Sequence, residues 1–167
     1  MRASVYTLDK PVLGAQLTSE QQLRIMGSVA KHFDRYRQRF HCSKESGGQL
    51  FGTIDSQSIF VTLAVGPRRT DERTRSSFRS DPRAAQRDIE RQHALGNLYL
   101  GEWHTHAEDI PRYSPSDSRT MEALLSRSRL NSNLLLLLIR GTALPPAGLA
   151  AYYAGDGGLN QIALQLL

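Results

Sequence analysis

The sequence predicts a single α/β (α+β) domain, a mixed sheet with about three helices packed on it, and three observations carry that prediction. Strand-like and helix-like stretches alternate along the 167 residues in the order β-α-β-β-α-β-α-β-β-β. The run LLLLLIRG at 134–141 is apolar and of strand length, as expected of a strand buried on both faces. Helix starts are punctuated: Asp81-Pro82 and Ser114-Pro115 each pair an N-cap residue with Pro at the first helical position. The length suits one domain, spanning 1–167, with one core.

The elements follow in order. VYTL at 5–8 reads as a short strand. Thr18-Ser19-Glu20-Gln21 has the form of a capping box and predicts a helix from Ser19 to about Phe40, with Leu23, Met26, Val29, Ala30 and Phe33 on one face. The Gly pair in ESGGQLFGT at 45–53 ends that segment, and QLFGTI and SIFVTLAV read as a hairpin turning near Asp55-Ser56. Residues 66–80 form a polar, Arg-rich loop. A helix runs from Pro82 to about Leu95, with Ala85, Ile89 and either Gln92 or His93 inward, and Gly96 stops it. Asn97 to His104 is a strand, Ser114 opens a helix to about Arg129, and 134–141 follows as the buried strand. After a proline-rich turn, GLAAYYAG and LNQIALQL read as the last strands.

Composition bounds the setting. The net charge is +5, nearly all from Arg. Such a surface suits nucleic acid, an acidic protein partner or nothing specific, and nucleic acid is not favoured. The only cysteine, Cys42, excludes an intrachain disulfide, suits a reducing cytosol and reads as a small half-buried thiol. The N-terminus has no apolar stretch of signal-peptide length, and the run Leu134 to Ile139 is far short of a membrane span. A cytoplasmic protein with no membrane partner is expected.

The stretch GEWHTHAEDIPRYSPSDS at 101–118 carries the chemistry. His104 and His106 are two apart on an extended segment, so both imidazoles point to one side and can reach one ion. Ser114, Pro115 and Asp117 are a helix cap, yet a carboxylate has two oxygens, and Asp117 can face the helix amides with one and a cation with the other. Two His and one Asp with a vacant position is the pattern of a catalytic zinc, whereas a structural zinc usually takes four protein ligands, often thiolates. The same set suits a non-haem iron triad chemically. Glu102 and Glu108 share the histidines' parity, and Asp109 is close; all three rank below Asp117 because no Ser-x-x-Asp frame surrounds them. Trp103 points to the other side, into the core, and His32, His41 and His93 read as structural or solvated.

His104-Thr105-His106, seven residues, Ser114, two residues, Asp117 resembles the JAMM motif of the MPN+ (JAB) metalloproteases, and ESGGQLFG at 45–52 resembles the family's segment in which a Glu precedes a Gly-rich strand. The resemblance covers most of the chain and implies an MPN/JAB-like domain with a curved mixed sheet. It implies one zinc per chain held by His104, His106 and Asp117, with Glu45 as catalytic base and Ser114 serving the oxyanion. Substrate-binding residues stay unassigned. Ala107 stands where many relatives have Pro; it carries no chemistry. The chain is most similar to bacterial standalone members such as the deconjugating peptidase of CBASS antiphage operons. That implies cleavage after the C-terminus of a ubiquitin-like protein, in deconjugation or precursor processing, with E1- and E2-like proteins as further partners. The rivals are a protease of ThiS/MoaD-like sulfur carriers, a RadC-like DNA-associated protein and a metal-free MPN scaffold. A zinc deaminase is excluded, since it needs paired cysteine ligands. The 66–80 loop reads either as a lip holding an extended tail, as a contact for an acidic partner, or as a solvated loop.

Overall fold

The computed structural model describes residues 9–127, 134–155 and 157–167. β1 (Pro11–Gln16) and β2 (Gln22–Met26) form an antiparallel pair, and α1 (Gly27–Tyr36) follows at once. β3 (Gly47–Ile54) and β4 (Ser58–Ala64) make the expected hairpin, with the Asp55 carboxylate accepting from the Gln57 and Ser58 amides in its turn. Two short strands, β5 (Glu72–Arg73) and β6 (Phe78–Arg79), pair with each other. α2 (Pro82–Ala94), β7 (Leu98–Thr105) and α3 (Pro115–Arg127) come next, then β8 (Leu135–Arg140), β9 (Leu149–Gly155), β10 (Gly158–Ile162) and β11 (Gln165–Leu166).

Nine strands form one curled mixed sheet in the order β10-β9-β8-β7-β3-β4-β2-β1-β11. The β7–β8 and β2–β4 pairs are parallel and the others antiparallel. β7, which carries the two histidines, is thus interior, bonded to β3 on one side and β8 on the other. Every residue of β8 is buried, as its apolar run requires. Leu23, Ile25, Leu50, Val61, Leu100, Trp103, Leu136 and Leu138 meet Val29 and Phe33 of α1 in the main core. A second cluster on the other face joins Met121 of α3 to Leu135, Leu137, Ile139 and Tyr152. No described helix is long and apolar enough to cross a membrane.

The first half of the helix expected from Ser19 to Phe40 is a strand. Gln22 to Met26 alternates: Leu23 and Ile25 are fully buried while their neighbours are half-buried. That period of two, satisfied between β1 and β4, overrides the helical spacing of the same residues. Thr18 Oγ1 does accept the Gln21 amide at 3.0 Å, but it caps the β1–β2 turn. PVLGAQ, for which the sequence predicts no element, is β1. VYTL and the last residues of the helix expected to Arg129 lie outside the described residues. The 66–80 loop contains the β5–β6 hairpin. α2 starts as expected, with Asp81 accepting from the Arg83 and Ala84 amides. Gln92, not His93, is its inward residue. Cys42 is exposed rather than half-buried.

Two local devices shape β7. Leu50 pairs with Gly101 but Phe51 pairs with Tyr99, so Leu100 is an extra residue on β7. This bulge resets the alternation and brings Tyr99 to the same face as Glu102, whose carboxylate accepts the Tyr99 hydroxyl. Gly101 sits at φ +144, and a Cβ there would stand 1.9 Å from the Leu136 carbonyl oxygen of β8. Gly101→Ala is therefore expected to destabilise the fold by on the order of 3 kcal/mol through strain and overpacking. An unchanged urea midpoint would show that the two strands can part there at no cost.

Candidate metal centre

The end of β7 and the start of α3 supply the converging groups. His104 Nε2 and His106 Nε2 lie 3.1 Å apart. Asp117 Oδ1 is 3.3 Å from His104 Nε2, and its Oδ2 is 3.6 Å from His106 Nε2. Both histidines are buried. Among the described residues these three are the group whose ligand atoms converge, all within 4.8 Å of one another. In tetrahedral coordination with bonds of 2.0–2.1 Å, neighbouring donor atoms lie roughly 3.4 Å apart. The closest approaches of the three residues fall near that value, the two to Asp117 being made by its different oxygens. Burial and the nearby His104 lower the His106 pKa, which keeps its nitrogen lone pair free. Lone pairs of three acceptors facing one another need a cation or protons between them, so the donor set fits a divalent metal.

The cap holds the third group. The Ser114 amide donates to Asp117 Oδ2 at 2.6 Å, and the Asp117 amide donates to Ser114 Oγ at 3.2 Å. The Ser114 carbonyl accepts the first helical bond, from Ser118. Asp117 thus closes a reciprocal capping box with one oxygen and offers the other to His104. Burial pushes its pKa up, but the hydrogen bond and charge of His104, with the Ser114 bonds, outweigh it and hold the carboxyl at about 2.

Glu45 precedes β3, and its Oε1 lies 3.9 Å from His106 Nε2. Burial raises its pKa to about 7, against a lowering by His104 and with further raising by Asp117 and Glu108. Its backbone is gripped by the β5–β6 hairpin: its amide donates to the Thr74 carbonyl at 2.8 Å, and Arg73 Nε donates to its carbonyl at 2.6 Å. Arg73 also bonds the Ser46 hydroxyl. Thr105, the residue between the two histidines, stitches this segment to β7, since its amide donates to the Ser46 carbonyl and its Oγ1 accepts the Ser46 amide. Gly47 has no Cβ because one would meet the Phe78 ring at 2.6 Å.

The structure brings together all five residues singled out in sequence: Glu45, His104, His106, Ser114 and Asp117 line one cleft of about 930 Å3. Its walls come from the β5–β6 hairpin, α2 and α3. The alternatives are engaged elsewhere. The Glu102 carboxylate accepts from Gln49 Nε2 and Tyr99, and burial raises its pKa to about 7. Glu108 caps the Arg112 amide, and Asp109 accepts the Thr142 hydroxyl. Trp103 points to the core side, donating to the Val65 carbonyl. His32 bonds the Gly66 carbonyl, while His41 and His93 are exposed. Arg73 was missed in sequence: it is one of eight arginines between 68 and 91, and no spacing distinguishes it.

A profile of the family described as prokaryotic homologs of the JAB domain matches residues 30–153. A protein of Vibrio cholerae named CD-NTase/cGAS isopeptidase is 35% identical over 122 residues, 70% of this chain and 74% of that protein. One of the same name from Escherichia coli is 34% identical over 99 residues, 58% of this chain and 64% of that protein, just under two thirds of its length. A solution structure of a Desulfitobacterium hafniense protein superimposes with a TM-score of 0.59 at 20% identity, over 82% of this chain and 87% of the other, and it shows the fold alone.

Proposed function

The chain belongs to the family of prokaryotic JAB-domain homologs, and from that premise we propose that it is a zinc-dependent isopeptidase or peptidase that cuts after the C-terminus of a ubiquitin-like protein. The observation that carries this reading is the convergence of two imidazoles and a capping carboxylate beside a buried, separately held glutamate. His104, His106 and Asp117 are the residues that hold the metal. A divalent cation in such a site supplies Lewis acidity, lowering the pKa of water and polarising a carbonyl.

The chain's own groups do the rest. Glu45 accepts a proton from the attacking water as the water oxygen bonds to the amide carbon. It returns that proton to the leaving nitrogen as the carbon–nitrogen bond breaks. Ser114 keeps its hydroxyl hydrogen free, because its oxygen accepts the Asp117 amide, and it donates to the developing oxyanion. Peptide and isopeptide bonds are both amides, so the same groups serve either. An extended tail enters beside the β5–β6 hairpin, a two-stranded ladder at the cleft rim that joins no other strand among the described residues. The relatives' name, CD-NTase/cGAS isopeptidase, supports the isopeptidase reading. A place in a CBASS antiphage operon, with E1- and E2-like partners in the cytoplasm, is part of the same proposal.

Protein purified without chelator is expected to carry about one zinc per chain by elemental analysis. A chelator should stop cleavage of a ubiquitin-like fusion, and added zinc should restore it. Far less than stoichiometric zinc, with no activity gained on adding it, would overturn the reading.

A further inference from the structure

The metal cleft continues into a second, shallower groove of about 410 Å3, and the two share Arg75 and Ala107 as lining residues. Three guanidiniums line this groove, from Arg37, Arg39 and Arg75, together with His41 and the ring of Phe40, which is 70% exposed. Among the described residues none of the three arginines makes an ion pair. Arg37 spends one terminal nitrogen on the Thr142 carbonyl, while its Nε is buried without a partner. Arg75 reaches only His41 Nδ1, at 3.3 Å. The carboxylates that could neutralise the cluster are committed elsewhere: Asp34 pairs with Arg140, and Asp109 accepts the Thr142 hydroxyl. Like charges packed at one place without counter-charges cost stability, and a ligand carrying the opposite charge relieves that cost.

Resting on the peptidase reading of the metal centre, we propose that this groove binds an acidic segment of the substrate protein, on the side of the scissile bond that leaves the cleft past Ala107. The groove begins where the cleft ends, so a chain held across the three ligands passes directly over Arg75. Its chemistry suits carboxylates with an apolar neighbour: forked donors for the acids and Phe40 for a side chain between them. Nucleic acid also carries anions, but the groove opens from the cleft read as cutting amides, which favours a polypeptide occupant.

The probe is a short fluorescein-labelled peptide alternating aspartates with leucine and glycine, measured by anisotropy against the Glu45→Gln chain, whose slowed cleavage keeps the peptide intact during the measurement. A counterpart with asparagines and a single-stranded oligodeoxynucleotide of equal charge are the controls. The aspartate peptide is expected to bind at least about tenfold more tightly than its asparagine counterpart, with affinity falling as salt rises. The double substitution Arg39→Glu, Arg75→Glu should abolish that preference, and Arg39→Gln with His41→Gln, both exposed, should weaken it without reversing charge. Equal binding of the two peptides, or binding untouched by both variants, overturns the proposal. So does tighter binding of the oligonucleotide that the same variants remove, which would assign the groove to nucleic acid. Binding that meets expectation in a protein whose wild-type form never cleaves a fusion would support the groove and remove the peptidase reading, so the two failures are separable.

Discussion

Glu45→Gln is expected to leave a folded, metal-loaded protein whose kcat is lower by about 10²–10⁴-fold. The amide keeps the size of the carboxyl and its contacts, and the three proposed ligands are untouched. What it loses is the ability to take a proton. The wild-type group is well placed for that exchange. Burial lifts its pKa to about 7 in the metal-free chain, and a nearby dication pulls it back down. The acid limb of kcat/KM should therefore fall between the ordinary value of 4.5 and about 7, with rate lost as pH drops through it and Glu45 takes up a proton. The stability sign is the opposite. A carboxyl whose folded pKa is raised prefers its neutral form, so ionising it at higher pH costs the metal-free fold. The glutamine variant should thus be no less stable than wild type at neutral pH without metal. A variant that cleaved at the wild-type rate would remove Glu45 from the mechanism. One that lost zinc as well would make it a ligand rather than a base.

The parts of this molecule legible in sequence are those written in short-range chemistry. Parity on an extended segment placed His104 and His106 side by side, and cap geometry placed Asp117. The hydrophobic run of β8 named its own environment. Glu45 was a different case. Nothing in the residues around it sets it apart from an exposed loop carboxylate near Lys44, and only the resemblance of ESGGQLFG to a known family pointed to it. What was not legible depends on partners distant in sequence. Gln22 to Met26 spaces its apolar residues ambiguously, and the choice of strand over helix is made by β1 and β4 on either side. Arg73 holds the Glu45 backbone only because the polar 66–80 segment folds back as a hairpin, and a run of arginines carries no local mark of that. Tyr99 joins the cleft face through a bulge, which periodicity alone places on the wrong side.

Asp117 is where the cap and the proposed metal site coincide, and three substitutions separate its roles. Asp117→Ala removes both. The helix loses the acceptor for the Ser114 amide, worth about 1 kcal/mol, and metal affinity should fall by well over about 100-fold, since the loss of groups merely supporting a ligand already costs 10–100-fold. Asp117→Asn keeps an oxygen for the Ser114 amide but gives up the charge that faces His104, which holds the wild-type carboxyl at about 2 and thus ionised at any working pH. The metal-free Asn variant should melt close to wild type, while its zinc occupancy and cleavage drop nearly as far as those of the Ala variant. Ser114→Ala inverts the pattern. It loses the hydroxyl that accepts the Asp117 amide, so the cap weakens, yet all three proposed ligands remain. Zinc should stay near one per chain while kcat falls by about 10²–10³-fold for want of an oxyanion donor. Thermal melts of the metal-free chains, read beside zinc content, check all three together. If Asp117→Asn kept a full equivalent of zinc at wild-type affinity, the carboxylate would be a cap alone, and the metal would need its third ligand from elsewhere in the cleft. Glu45, whose Oε1 is already 3.9 Å from His106 Nε2, would then be the first residue to test, and its assignment as base would have to be reopened.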